Sequence, residues 1–142
     1  MVAILAMPFV DRDRVVIGGQ SRGGILSVAY GGLHGEQVRG VINFVGGWSG
    51  SRCMSDVNPE LFKRGARYPG ETLWLYGEGD PFYGLTHRRR NFTAFQSAGG
   101  TGVFHEFEPP PGIDAHSIVA RPELWATVVE AYLKRRGLPV GD

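Results

Sequence analysis

The sequence predicts an α/β fold: a parallel sheet of about four strands with flanking helices. Three observations carry this. Strand-like and helix-like segments alternate along the 142 residues, the pattern of crossover-connected parallel strands. The strand-like segments are short apolar runs with little polar alternation, as in strands covered on both faces. The final segment has the plainest amphipathic stripe, with Leu124, Trp125, Val128, Val129, Tyr132 and Leu133 on one side.

In chain order, Val2–Met7 reads as the last turns of a helix stopped by Pro8. Arg14–Gly18 is predicted as a buried strand, because Val15-Val16-Ile17 are consecutive β-branched residues. Gly23–Gly31 follows as a helix with Ile25, Leu26, Val28 and Ala29 as its apolar content. Val38–Val45 is the second strand, ended by Gly46-Gly47, and Pro59–Ala66 a short helix. Thr72–Tyr76 is the third strand. Leu85–Ala98 is a helix closed by Gly99-Gly100. Val103–Phe107 is the fourth strand, and Glu123–Arg136 the last helix, between Pro122 and Gly137. Right-handed crossovers are expected. No repeat, low-complexity tract or linker interrupts the chain, so residues 1–142 are read as a single domain.

Composition excludes several classes of function. Fifteen Lys and Arg against fourteen Asp and Glu leave a net charge of +1, no basis for holding nucleic acid or an anionic membrane. The basic run Arg88-Arg89-Arg90 is read as a solvated helix face. No apolar run approaches the ~20 residues of a membrane span. Met1–Val10 lacks the basic start and small-residue cleavage site of a signal peptide, so a cytoplasmic location is expected. Cys53 is the only cysteine, which excludes an internal disulfide and a cysteine-based zinc site. No metal or organic cofactor is implied.

The chemistry concentrates where an apolar strand runs into Gly19-Gln20-Ser21-Arg22-Gly23 and a helix follows. A Gly-x-Ser-x-Gly between strand and helix holds a serine out of a sheet as a nucleophile. Gly19 and Gly23 are expected where a Cβ would clash across the sharp turn. The N-terminal amides and dipole of the helix then face a developing oxyanion. In parallel sheets ligands bind at the carboxyl ends of the strands, and Ser21, Trp48, Asp80 and His116 each follow one. A serine hydroxyl needs a base. His116, in the loop Pro109–His116, is the candidate, whereas His34, His87 and His105 are read as structural or solvated. A carboxylate must orient the imidazole. Asp80 is preferred over Asp114, two residues from His116, with Glu78 and Asp56 as weaker options. The Arg22 backbone N–H is a candidate oxyanion donor. Trp48, Phe82 and Tyr83 fall on the same rim and are expected as an aromatic substrate wall, with ordinary packing as the alternative.

Five stretches together resemble an α/β-hydrolase of the dienelactone hydrolase-like branch: Val10–Ile17, Gly19-Gln20-Ser21-Arg22-Gly23-Gly24, Gly40–Gly47, Leu75–Phe82 and Asp114-Ala115-His116. The order Ser, Asp, His is that of the α/β-hydrolases. The resemblance implies Ser21 as nucleophile, Asp80 as acid, His116 as base and Arg22 N–H as oxyanion donor. Dienelactone hydrolases in the narrow sense carry cysteine where Ser21 stands, so a general ester is the expected substrate. The match covers only the part of the family fold from the nucleophile strand onward. The expectation is therefore a truncated α/β-hydrolase fold, lacking the N-terminal strands and the second oxyanion donor. An uncovered strand edge invites association, so a homodimer or larger assembly covering the Arg14–Gly18 edge is expected. The implied activity is that of a serine carboxylic-ester hydrolase, an esterase or lactonase, acting on a small-molecule ester through an acyl-enzyme. Two alternatives stand beside it. One is a non-catalytic half-domain that associates with itself or a partner. The other is a serine peptidase of the prolyl-oligopeptidase type, which also shows Ser-x-Gly-Gly after the nucleophile strand.

Overall fold

The computed structural model describes residues 2–49 and 57–141; Cys53 and Asp56 lie outside the described residues. In chain order the elements are α1 (Val2–Leu5), β1 (Val16–Gln20), α2 (Arg22–Leu33), β2 (Gly40–Phe44), α3 (Val57–Gly65), β3 (Thr72–Gly77), α4 (Leu85–Ser97), β4 (Gly102–Phe107) and α5 (Pro122–Arg135). Short 3-10 turns occupy Arg12–Arg14, Gly35–Gln37 and Ala115–Ala120. The four strands form one sheet in the order β1-β2-β3-β4, every neighbouring pair parallel. The predicted fold class is the observed one.

Strand alternation assigns the layers. On β2, a Cβ at Gly31 of α2 would meet Val41, whereas Phe44 packs its ring against Trp125 of α5, centroids 5.0 Å apart. Val41 and Phe44 are three residues apart on a strand, so they point to opposite faces. On β3, Trp74 meets Phe62 of α3 and Phe92 and Phe95 of α4. Helices α2, α3 and α4 therefore cover one face, packed α2 on α3 and α3 on α4, and α5 lies on the other. Trp74, Leu73, Leu75, Phe62, Phe95, Val41, Val28 and Ile25 are fully buried at the centre. Tyr132 ties α5 to the lower rim: its hydroxyl accepts from Val41 N–H at 2.9 Å and donates to Glu71 O at 2.8 Å.

Two boundaries differ usefully from expectation. β1 starts at Val16, because Arg12–Arg14 turns under an Asp11 cap whose side chain accepts from Asp13 N–H. It runs on to Gln20, where Gly19 and Gln20 pair with Asn43 and Phe44. β1 is also half-buried where β2 and β3 are buried throughout. It stands at the sheet edge, so its apolar run reports β-branching more than burial. Among the described residues no helix is long and apolar enough to cross a membrane.

Candidate active site

Ser21 occupies the turn from β1 into α2 with φ 55° and ψ −118°, a left-handed conformation costly for a residue with a Cβ. The surroundings over-determine it. Ser21 N–H donates to Phe44 O at 2.9 Å, and Ser21 O accepts from Gly24 at 3.0 Å, Ile25 at 3.2 Å and Gly47 at 3.1 Å. Gly24 and Ile25 make the first helical bonds, so the amides of Arg22 and Gly23 precede the ladder at the positive end of α2.

The glycine requirement is only partly the predicted one. A Cβ on Gly19 would fall 2.5 Å from the carbonyl of Gly23, but a Cβ on Gly23 would meet open space. The crowding runs one way, because Gly23 presents backbone to Gly19 and turns its own Cβ direction outward. Gly24 is the other tight position. Its Cβ would lie 2.8 Å from Gly46 Cα and press on Asn43 Oδ1. Behind it, Asn43 Nδ2 donates to the Tyr76 hydroxyl at 3.2 Å, which donates to Gly46 O at 2.7 Å. Burial pushes the Tyr76 phenol well above its ordinary value, so it remains a donor.

Asp80, in the loop after β3, and His116, in the segment between β4 and α5, meet directly. His116 Nδ1 lies 3.0 Å from Asp80 Oδ2, and the Asp80 residue is 4% exposed. Asp80 Oδ1 accepts from the N–H groups of Phe82 at 2.8 Å and Tyr83 at 3.0 Å, which fixes the carboxylate plane. Asp114 does something else. It caps the Ala115–Ala120 turn, accepting from His116 N–H at 2.9 Å and Ser117 Oγ at 3.0 Å. Those bonds hold its carboxyl below the usual carboxylate value. His116 therefore sits on a 3-10 turn rather than in an open loop. Three further contacts seat that turn. Gln20 Nε2 donates to His116 O at 2.8 Å, Trp125 Nε1 donates to Ile118 O at 2.9 Å, and Gly77 leaves room for Ala115 O. Gln20, the residue before Ser21, thus joins the β1 turn to the His116 turn, which sequence reasoning missed.

Ser21, Arg22, Ser49, Phe82, Tyr83 and His116 line one cavity of about 250 Å³. The Ser21 hydroxyl lies 3.4 Å from the Tyr83 hydroxyl. Its side-chain hydrogen bond goes to Tyr83 and not to His116, although both rings face the cavity. Phe82 is 60% exposed, its ring centroid 4.7 Å from that of His116. Trp48 stands apart from this lining. Asn58 pins its backbone from both sides at 2.6 and 2.9 Å, and its ring lies 5.3 Å from the Arg22 guanidinium. Ser49 lines the cavity directly, whereas Trp48 meets it through Arg22.

The other histidines are elsewhere. His34 ends α2 against Tyr30, and His105 lies in β4 with its imidazole held below the ordinary value by burial. His87 stacks on Tyr83 at 5.3 Å and is likewise lowered by burial. Glu78 is exposed and lines a separate cavity with Arg88, Arg89 and Glu106. The basic run is not a uniformly solvated face, because Arg88 is 2% exposed. It pairs with Glu106 and donates to Tyr83 O at 3.1 Å. On α4, residue 88 shares the inward stripe of Phe92 and Phe95, a signal present in the sequence.

No protein-family model and no curated protein matches the chain. Among solved structures it is similar to SOBER1 of Arabidopsis thaliana, at 23% identity and a TM-score of 0.62, over 90% of this chain and 55% of that one. It is also similar to a thermostable esterase, at 20% identity and a TM-score of 0.63, over 92% of this chain and 34% of that one. The chain thus spans about half or less of the length of these structures. Its fold is α/β-hydrolase-like.

Proposed function

We propose that the chain is a serine hydrolase of carboxylic esters, an esterase or lactonase. The observation that carries the reading is the 3.0 Å contact between His116 Nδ1 and Asp80 Oδ2, beside a serine held at φ 55° on a strand-to-helix turn in the same cavity. Similarity to a structure described as an esterase supports it. Ser21 Oγ attacks the acyl carbon while His116 Nε2 takes the hydroxyl proton. Asp80 accepts from Nδ1–H, holding the tautomer that leaves Nε2 basic. The Arg22 N–H, at the start of α2, stabilises the tetrahedral oxyanion. His116 returns its proton to the leaving alcohol, then activates water to release the acid and free Ser21. Phe82 forms the open wall of the cavity. No step calls for a cofactor.

One observation favours the non-catalytic reading: the resting Ser21 hydroxyl bonds to Tyr83 rather than to His116. Catalytic hydrogen bonds are often long before substrate arrives, so solution measurement separates the two. With p-nitrophenyl acetate or butyrate, the wild type is expected to turn over and to be labelled at Ser21 by a fluorophosphonate. Ser21→Ala should lose both properties. Equal rates for the two proteins remove the serine mechanism. Turnover of peptide amides but not esters selects the peptidase alternative.

A further inference from the structure

An acyl-transfer site needs donors on two sides of the oxyanion, and the Arg22 N–H supplies one. We infer that the Tyr83 hydroxyl is the second oxyanion donor. Tyr83 is thereby a catalytic residue supplied by the β3–α4 loop, and the inference rests on the serine-hydrolase reading above. Its hydroxyl lies 3.4 Å from Ser21 Oγ, the atom that bonds to the acyl carbon. An oxygen on that carbon is one bond further out, within reach of the same hydroxyl. Unlike Phe82, Tyr83 is fixed: it is 2% exposed. Its N–H donates to Asp80 Oδ1 at 3.0 Å, and its C=O accepts from Arg88 Nη1 at 3.1 Å. The ring stacks on His87 at 5.3 Å and sits 5.4 Å from that of His116. Gly47 closes the remaining side, where a Cβ would fall 2.6 Å from Tyr83 Cε1. A donor immobilised before the reaction needs no reorganisation when charge develops, which is why such groups matter in the transition state.

Proton placement is consistent throughout. Either hydroxyl can donate in the Ser21–Tyr83 contact; with Tyr83 O–H donating to Ser21 Oγ, the serine proton is free to turn toward His116. On attack that proton passes to His116 Nε2, and Oγ becomes the bridging oxygen of the tetrahedral intermediate. The former carbonyl oxygen now carries the negative charge and only accepts, so Tyr83 O–H shifts onto it. Tyr83 keeps its proton and forms no covalent bond.

The test is Tyr83→Phe, which keeps the ring and its stacking. With p-nitrophenyl acetate, kcat should fall about 10²–10³-fold, the loss typical of one oxyanion donor, with KM little changed. A trifluoromethyl ketone, which forms an oxyanion on Ser21, should weaken in parallel with kcat/KM. A 3-fluorotyrosine at position 83 keeps the ring and its hydroxyl while altering donor strength, and a thermal melt checks that the buried ring still packs. This variant should shift kcat without moving KM, which guards against a folding defect in the Phe variant. Unchanged kcat in Tyr83→Phe, or a loss confined to KM, overturns the inference while Ser21→Ala still reports the hydrolase reading. A wild type inert to ester and fluorophosphonate overturns both.

Discussion

At the scale of single residues, the turn at Ser21 distinguishes glycines that look alike in the sequence. Gly23→Ala places its methyl in open space at the start of α2. It should leave ester turnover intact and raise stability by up to about 1 kcal/mol. Gly19→Ala and Gly24→Ala drive a methyl into the backbone of Gly23 and of Gly46, so they should lower the melting temperature and abolish turnover. Thermal melts with p-nitrophenyl acetate assays check all three. A fully active Gly24→Ala would contradict the packing. Gly19 was legible in the sequence because its neighbour is four residues away within one turn. Gly24 was not, since its obstacles, Asn43 and Gly46, come from the next strand and loop. Gln20 was hidden for the same reason, its bond to His116 O spanning 96 positions.

At the scale of elements, the passage from β3 into α4 gathers Asp80, Phe82, Tyr83 and Arg88 within one turn and one helix start. The pattern of strands and helices was readable throughout, because apolar runs and amphipathic stripes are local. The basic run was misread because charge type was weighed above helical position. Arg88 clamps the loop from below, joining Tyr83 O to Glu106 of β4. Arg88→Met should cost about 3 kcal/mol, the low end for breaking a buried ion pair, since Glu106 retains some contact with water. Arg88→Lys should recover little, lacking the planar fork that serves both acceptors. Denaturant melts measure both. Acid probes the same clamp. Burial alone would raise the Glu106 carboxyl, but hydrogen bonds from Arg88 and Arg89 outweigh it and hold the group below its ordinary 4.5. The stabilisation is therefore present above about pH 4.5 and is lost as pH falls through the lower folded value. In Arg88→Met that part of the acid sensitivity should shrink.

At the scale of the whole molecule, β1 is an edge strand, half-buried where its inner neighbours are covered. Leu26 and Leu33 on α2 are 48% and 57% exposed, and Phe9 is 82% exposed. A parallel strand with one neighbour among the described residues and exposed apolar side chains on the helix that follows it favour self-association. We propose that a second copy covers this side of the sheet. Light scattering should find a dimer or larger species, reduced to monomer by Leu26→Lys with Leu33→Glu. A monodisperse wild-type monomer at working concentration argues against the proposal. A parallel sheet was implied by the alternation of elements and an uncovered Arg14–Gly18 edge by the family resemblance, whereas the strand order β1-β2-β3-β4 depends on spatial neighbours that local patterns do not encode.

Strand order also repeats chain order here, from β1 through β4. During synthesis each new strand leaves the ribosome beside the one just made, so the scaffold can grow by short-range additions. The Ser21 turn follows β1 and His116 lies on a turn after β4. Under the proposed serine-hydrolase reading, Ser21 is synthesised well before His116, so the pair is assembled only after β4 and the turn that carries His116 have emerged.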